Sequence, residues 1–81
     1  MTPTTTQPIR TAYKTFDMYV AAFLVARGHV LQRLEGTYRR TFVFPGDAAE
    51  DAEMFYKNAP VPAIDYAHAL KDTKARLHAA S

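Results

Sequence analysis

The chain has 81 residues, of which 48% are apolar, with a net charge of +2 and no cysteine. That length holds one domain. The missing thiols exclude disulfides and thiolate metal sites, and the apolar share is that of a globular chain rather than a disordered one. A core this small stabilises its fold only marginally, so self-association is the natural supplement.

Residues 1 to 12 are rich in Thr and Pro and contain almost nothing to bury. They read as a disordered tail, or as an arm that orders on a partner, and the domain is expected over 13–79. The same stretch has no apolar core of a signal peptide. No apolar run approaches the ~18 residues that span a bilayer, so no membrane association and a cytoplasmic location are expected.

The first predicted element is a helix with Thr15 as its cap and Asp17 in the first turn. Phe16, Tyr19, Val20, Phe23 and Leu24 follow the i, i+3, i+4, i+7, i+8 pattern of an inward stripe. The opposite side carries Met18, Ala21, Ala22 and Val25, and no charge stands between Asp17 and Arg27. A helix that is apolar all round is buried all round. Gly28 suits the left-handed position just past its end.

A hairpin is expected next, pairing 29–35 with 39–44 around Gly36, Thr37 and Tyr38. Phe42 and Phe44 alternate onto one face, and Pro45 ends the strand because it has no N–H to give the ladder. Val30, Leu31, Leu34 and Val43 do not share one face, so both sides of this ribbon need cover. Asp47 and Glu50 are spaced as a capping box for a second helix reaching about Asn58. Its inner stripe is Ala48, Ala52, Phe55 and Ala59, with Glu50, Asp51, Glu53 and Lys57 facing water. Pro60 and Pro62 break the chain, and Pro62 fits the first turn of a third helix reaching about His78. Ala63, Tyr66, Ala67, Leu70 and Leu77 are its expected inward residues. The fold class is α+β, in the order helix, hairpin, helix, helix.

Tyr13-Lys14-Thr15-Phe16-Asp17-Met18-Tyr19-Val20-Ala21-Ala22-Phe23-Leu24 and Arg27-Gly28-His29 read together as an opening motif, Y-x-T-x-D-x-Y-x-A-A-x-L. With Arg39 to Phe44, the Phe55-Tyr56 pair and the closing Ala69 to Leu77, they resemble a small bacterial and phage family known only as a domain of unknown function. The resemblance spans roughly residues 13 to 78. It implies a bacterial, phage or mobile-element origin and says nothing about chemistry.

Chemical sites are scarce. The histidines at 29, 68 and 78 are scattered, and the nearest approach to a ligand set is Asp65, His68 and Asp72 along one helix face. Such a row is more often a solvated face with i, i+4 charge pairing. No glycine-rich phosphate loop occurs, and Ser81 is the only serine. The chain is therefore read as no enzyme, with no catalytic residue, cofactor or metal.

Charge is unevenly placed. Arg10, Lys14, Arg27, Arg33, Arg39 and Arg40 against Asp17 and Glu35 give residues 1–44 a net +4, and Asp47, Glu50, Asp51 and Glu53 against Lys57 give 45–61 a net −3. Lys71, Lys74 and Arg76 against Asp65 and Asp72 leave 62–81 at +1. That pattern fits a polar surface better than a DNA-binding one. Arg33, Tyr38, Arg39 and Arg40 are still the one candidate contact for nucleic acid or another anion, through guanidinium forks and a stacking ring. The plainer reading, an edge whose charges discourage strand-to-strand aggregation, is preferred. Met18, Ala22, Val25 and Val43 are the candidate self-association face. Two functions remain: a non-catalytic, self-associating module (a homodimer) that binds an unidentified protein, and a small nucleic-acid-binding accessory protein.

Overall fold

The computed structural model describes residues 12–79. Apart from Ala12, the expected tail lies outside them. The elements are β1 (Tyr13–Thr15), α1 (Met18–Ala26), β2 (Arg33–Glu35), β3 (Thr41–Phe44), α2 (Ala48–Tyr56) and α3 (Ala63–Ala79). The α+β class and the expected order hold, with one short strand added in front.

That strand changes the sheet. β3 is central, with β1 and β2 antiparallel on either side. Tyr13 stands opposite Phe44, and Thr15 and Leu34 flank Phe42. Opposed residues share a face of a pleated sheet, so this side carries the two buried phenylalanines into the core. Lys14 and Arg33 flank Val43 on the other side. There Glu35 accepts Arg33 Nη2 at 2.8 Å on Oε2 and Lys14 Nζ at 3.1 Å on Oε1. The stems of the two basic residues lie beside Val43, which is 0% exposed. The second face of the ribbon is thus covered from within the chain.

Helix α1 begins later than its pattern implies. Thr15 is the last paired residue of β1, so its backbone belongs to the ladder. The cap is Asp17, whose Oδ1 accepts the N–H of Tyr19 at 2.9 Å and of Val20 at 3.4 Å. The Thr15 hydroxyl instead accepts the Asp17 N–H at 3.1 Å. This shift accounts for two misplaced residues. Phe16 precedes the helix and escapes its period, Tyr19 sits in the first turn, and both are exposed. Val20, Ala21, Ala22, Phe23 and Leu24 are all buried, five in a row and hence on every side of the helix.

Both short helices end in the same hydrogen-bonded device. Past α1, Gly28 N–H donates to Val25 O and His29 N–H to Leu24 O, with Gly28 at φ +97°. Past α2, Asn58 N–H donates to Phe55 O and Ala59 N–H to Met54 O, with Asn58 at φ +61°. These are Schellman ends, which need one left-handed residue each. The start of α2 differs from expectation. Asp47 is already helical and its side chain makes no cap hydrogen bond, so no capping box forms. A turn in which Ala48 N–H donates to Pro45 O and Ala49 N–H to Gly46 O leads into the helix instead. Ala48 and Ala52 are buried, and Phe55 and Ala59 pack on the core as expected.

Pro62 lies just ahead of α3 and accepts the Tyr66 N–H, so it caps the helix rather than forming its first turn. The buried face of α3 matches the expected one only in part: Tyr66 and Leu77 pack on the core as expected. Ala63 and Ala67 are exposed, while Ala69 and Thr73 are buried. α3 makes the most extensive packing with α1, and small residues allow two helix backbones to approach closely. Thr73 is tolerated there because its hydroxyl donates to Ala69 O at 2.7 Å.

The two left-handed glycines separate two kinds of cost. A Cβ on Gly28 would meet nothing within 4 Å, whereas one on Gly36 (φ +92°) would sit 2.7 Å from Arg39 O. Gly28→Ala is expected to destabilise by about 1 kcal/mol from backbone conformation alone, and Gly36→Ala by more, because backbone must also move. Urea unfolding of both variants checks the order; equal losses would remove the steric part of the argument.

Candidate functional site

The end of α2 and the start of α3 enclose an open groove of about 460 Å³ lined by Phe23, Phe55, Tyr56, Asn58, Ala59, Val61 and Tyr66. Its geometry follows from the chain. Asn58 turns the backbone out of α2, and Pro60 and Pro62 keep 60–62 from continuing as helix. The floor is an edge-to-face stack, with Phe55 centred 5.6 Å from Phe23 and 5.3 Å from Tyr56. Tyr66 fixes one wall by donating its hydroxyl to Tyr19 O at 3.2 Å.

Hydroxyls gather at this end of the molecule. Burial pushes the Tyr13 hydroxyl above its ordinary value, and nearby Tyr56 and Asp17 add to the effect. Burial likewise raises Tyr66, with Asp17 and Tyr19 contributing. Both therefore remain neutral donors at physiological pH. Large apolar side chains also stand in solvent, with Tyr56 67% and Ile64 70% exposed. An aromatic floor with exposed rings and a few neutral polar groups is suited to holding an apolar or extended polypeptide.

A second cavity, about 500 Å³, lies between the end of α1, the following loop and the far half of α3. His29, Asp72, Thr73 and Arg76 are its polar lining. Arg76 donates to Leu31 O at 3.3 Å. His29 is held from behind, its Nε2 lying 2.7 Å from Asp51 Oδ2, while Arg27 donates to Asp51 Oδ1 at 3.2 Å. The row Asp65, His68 and Asp72, read as a solvated face, is exposed. Among the described residues no three of His, Asp and Glu form a metal-holding group. The His29–Asp51 pair spans α1's exit and α2, and no local spacing announces it. Asp51, expected to face water, is half-buried for this reason.

The hairpin-tip residues are less available than their spacing implies. Arg33 is turned onto Glu35. Arg39 stacks its guanidinium 4.6 Å from the centre of the Phe16 ring, and Arg40 donates to Gly36 O at 2.8 Å. Tyr38 alone is fully exposed. The candidate self-association face also needs correction. Ala22 and Val43 are both 0% exposed within one chain, and Met18 and Val25 are half-buried against the core. These positions have little surface to give a second copy, because α3 and the ion pairs beside Val43 already cover them.

No helix among the described residues is long and apolar enough to cross a membrane. No family model, curated protein or solved structure matches the chain.

The His29 hydrogen bond, followed by the Arg27 contact, holds the Asp51 carboxyl below the ordinary carboxylate value. A depressed folded value stabilises above the unfolded value and loses that contribution as pH falls through the folded one. Asp51→Asn is therefore expected to be less stable than the native chain at pH 7, by about 1 kcal/mol or less for a partly exposed pair. The difference should begin to shrink as pH falls toward about 4, the unfolded carboxylate range, and vanish only below the depressed folded value. Thermal melts of both chains across pH 2 to 7, roughly the span of carboxylate titration, check this. A gap that persists at the acid end would show that the loss comes from packing.

Proposed function

We propose that the chain is a non-catalytic module that acts by binding another protein and that associates with itself, cytoplasmic and of bacterial mobile-element or phage origin. The observation that carries this reading is the aromatic groove between α2 and α3, lined by the exposed Tyr56 and by Tyr66, whose hydroxyl meets Tyr19 O. An exposed apolar groove on a small domain is a common mark of an interface. Rigid aromatic side chains are also the residues that dominate binding at such interfaces. Self-association draws on the same end of the molecule, and the origin rests on the family resemblance.

The experiment compares two immobilised baits, the native chain and Tyr56→Ser/Ile64→Lys, in extracts of the source bacterium. Both substitutions are at exposed positions, so both baits should fold, with matching circular dichroism. The native bait is expected to retain a protein that the variant loses. Identical sets on both baits would remove the groove as the binding surface. Sedimentation of the native chain at micromolar concentration tests the second part. A single species of 9.1 kDa would eliminate self-association.

A second reading, a nucleic-acid-binding accessory protein, is favoured by one observation: Tyr38 is fully exposed among Arg33, Arg39 and Arg40. If it holds, fluorescence anisotropy with a single-stranded oligonucleotide will show affinity that falls steeply with salt. Arg33→Gln/Arg39→Gln/Arg40→Gln would then abolish binding. Retained binding with an unchanged salt slope would take the site away from the hairpin.

A further inference from the structure

We propose that the cavity between the end of α1, the loop after it and the far half of α3 binds a free α-amino acid with an apolar side chain. This goes beyond the aromatic groove and does not depend on it, because the two share no lining residue. At about 500 Å³ the cavity is of the size that takes up small molecules. Its apolar lining comes from Val25 and the buried Leu31, and from Ala75 and Ala79 on α3. Two alanines one turn apart keep that wall low and leave room for the side chain of a ligand.

Three polar side chains of the lining keep unused bonding capacity. Arg76 donates through Nη1 to Leu31 O at 3.3 Å. Among the described residues its Nε and Nη2 have no partner, and that edge of a guanidinium takes a carboxylate bidentately. Asp72 stands one turn earlier on the same face of α3, the spacing at which an acid and a base normally pair. Yet Asp72 has no ion pair or hydrogen bond among the described residues, because Arg76 is turned to Leu31 O instead. The third group is His29. Its Nε2 lies 2.7 Å from Asp51 Oδ2, and an ionised carboxylate can only accept, so the ring N–H is on Nε2. The neutral ring then keeps an acceptor at Nδ1, which has no partner among the described residues.

These groups select a ligand by charge. A simple anion on Arg76 would face the Asp72 carboxylate, and a simple cation on Asp72 would face the Arg76 guanidinium. A molecule that carries both charges a few bonds apart satisfies both. Its ammonium lies on Asp72 and His29 Nδ1, and its carboxylate on Arg76. The α-amino acid is the smallest unit of this kind, and its side chain then meets Val25, Leu31, Ala75 and Ala79. A peptide terminus supplies only one of the two charges at the same place. Little is given up on binding, since Asp72 and Arg76 do not pair with each other beforehand.

The test is a titration of the full, isotope-labelled chain with L-leucine, followed by amide NMR signals. Saturating shifts at His29, Leu31, Thr73 and Arg76 are expected in the millimolar range, with Asn58 and Tyr66 unmoved. Isocaproate keeps only the carboxylate of this probe, and isoamylamine only its ammonium. Each should bind the native chain more weakly by about tenfold or more, the usual worth of a charge-assisted hydrogen bond. Asp72→Asn, at an exposed position, should lose L-leucine affinity by a similar factor while taking isocaproate at least as well as the native chain does. Arg76→Gln should lose both probes. No saturable shift with either L-leucine or L-phenylalanine would overturn the proposal. So would isocaproate binding the native chain as tightly as L-leucine, or unchanged L-leucine affinity in Asp72→Asn.

Discussion

From Met18 to Ala26 the chain carries no acidic or basic side chain, and α1 therefore has little surface that water can solvate well. Five consecutive buried residues, Val20 to Leu24, express that constraint geometrically, since five residues run more than once around a helix. Every other element is placed by the need to cover this cylinder. The sheet supplies Phe42 and Phe44, α2 supplies Ala48, Ala52 and Phe55, and α3 lies along it through Ala69 and Thr73. Small residues recur because three neighbours must all come close to one helix. The Schellman ends at Gly28 and Asn58 serve the same purpose, turning the chain sharply enough to return to α1.

Covering α1 leaves the outer face of the sheet to be managed with charge. Val43 is central there, and its neighbours Lys14 and Arg33 meet on Glu35, which their hydrogen bonds keep well ionised. Exposed ion pairs of this kind add little stability. Their structural effect is to hold two long aliphatic stems over an apolar residue. The same arrangement turns Arg33 away from a ligand, while Phe16 engages Arg39. A stretch that is basic in composition thus has its guanidinium groups engaged by its own fold.

The groove itself arises where the wrapping is incomplete. α2 is only nine residues long, and the chain must turn at Asn58 and pass two prolines before α3 can begin. At that junction Val61 and Tyr66 pack only partly against the core, and Tyr56 stands exposed. The rim of that gap carries the Tyr56 and Tyr66 hydroxyls and Asn58.

Local pattern alone determined a good deal. The burial of α1 on every side between Val20 and Leu24, the left-handed Gly28, the Phe42/Phe44 face and the Ala48/Ala52 stripe were all legible, because each depends on periodicity or on a residue's own conformational range. Tertiary structure decided what depends on distant partners. β1 is too short to be recognised until Phe42 to Phe44 pair with it, and that pairing moved the helix cap from Thr15 to Asp17. Thr73 looks polar until Ala69 O accepts its hydroxyl, so its place on the buried side of α3, beside the expected Tyr66 and Leu77, was missed. His29 and Asp51 stand 22 residues apart, and the rings of the groove come from α1, α2 and α3 together. No window of sequence contains those meetings. They exist only once three elements have closed around the same apolar helix.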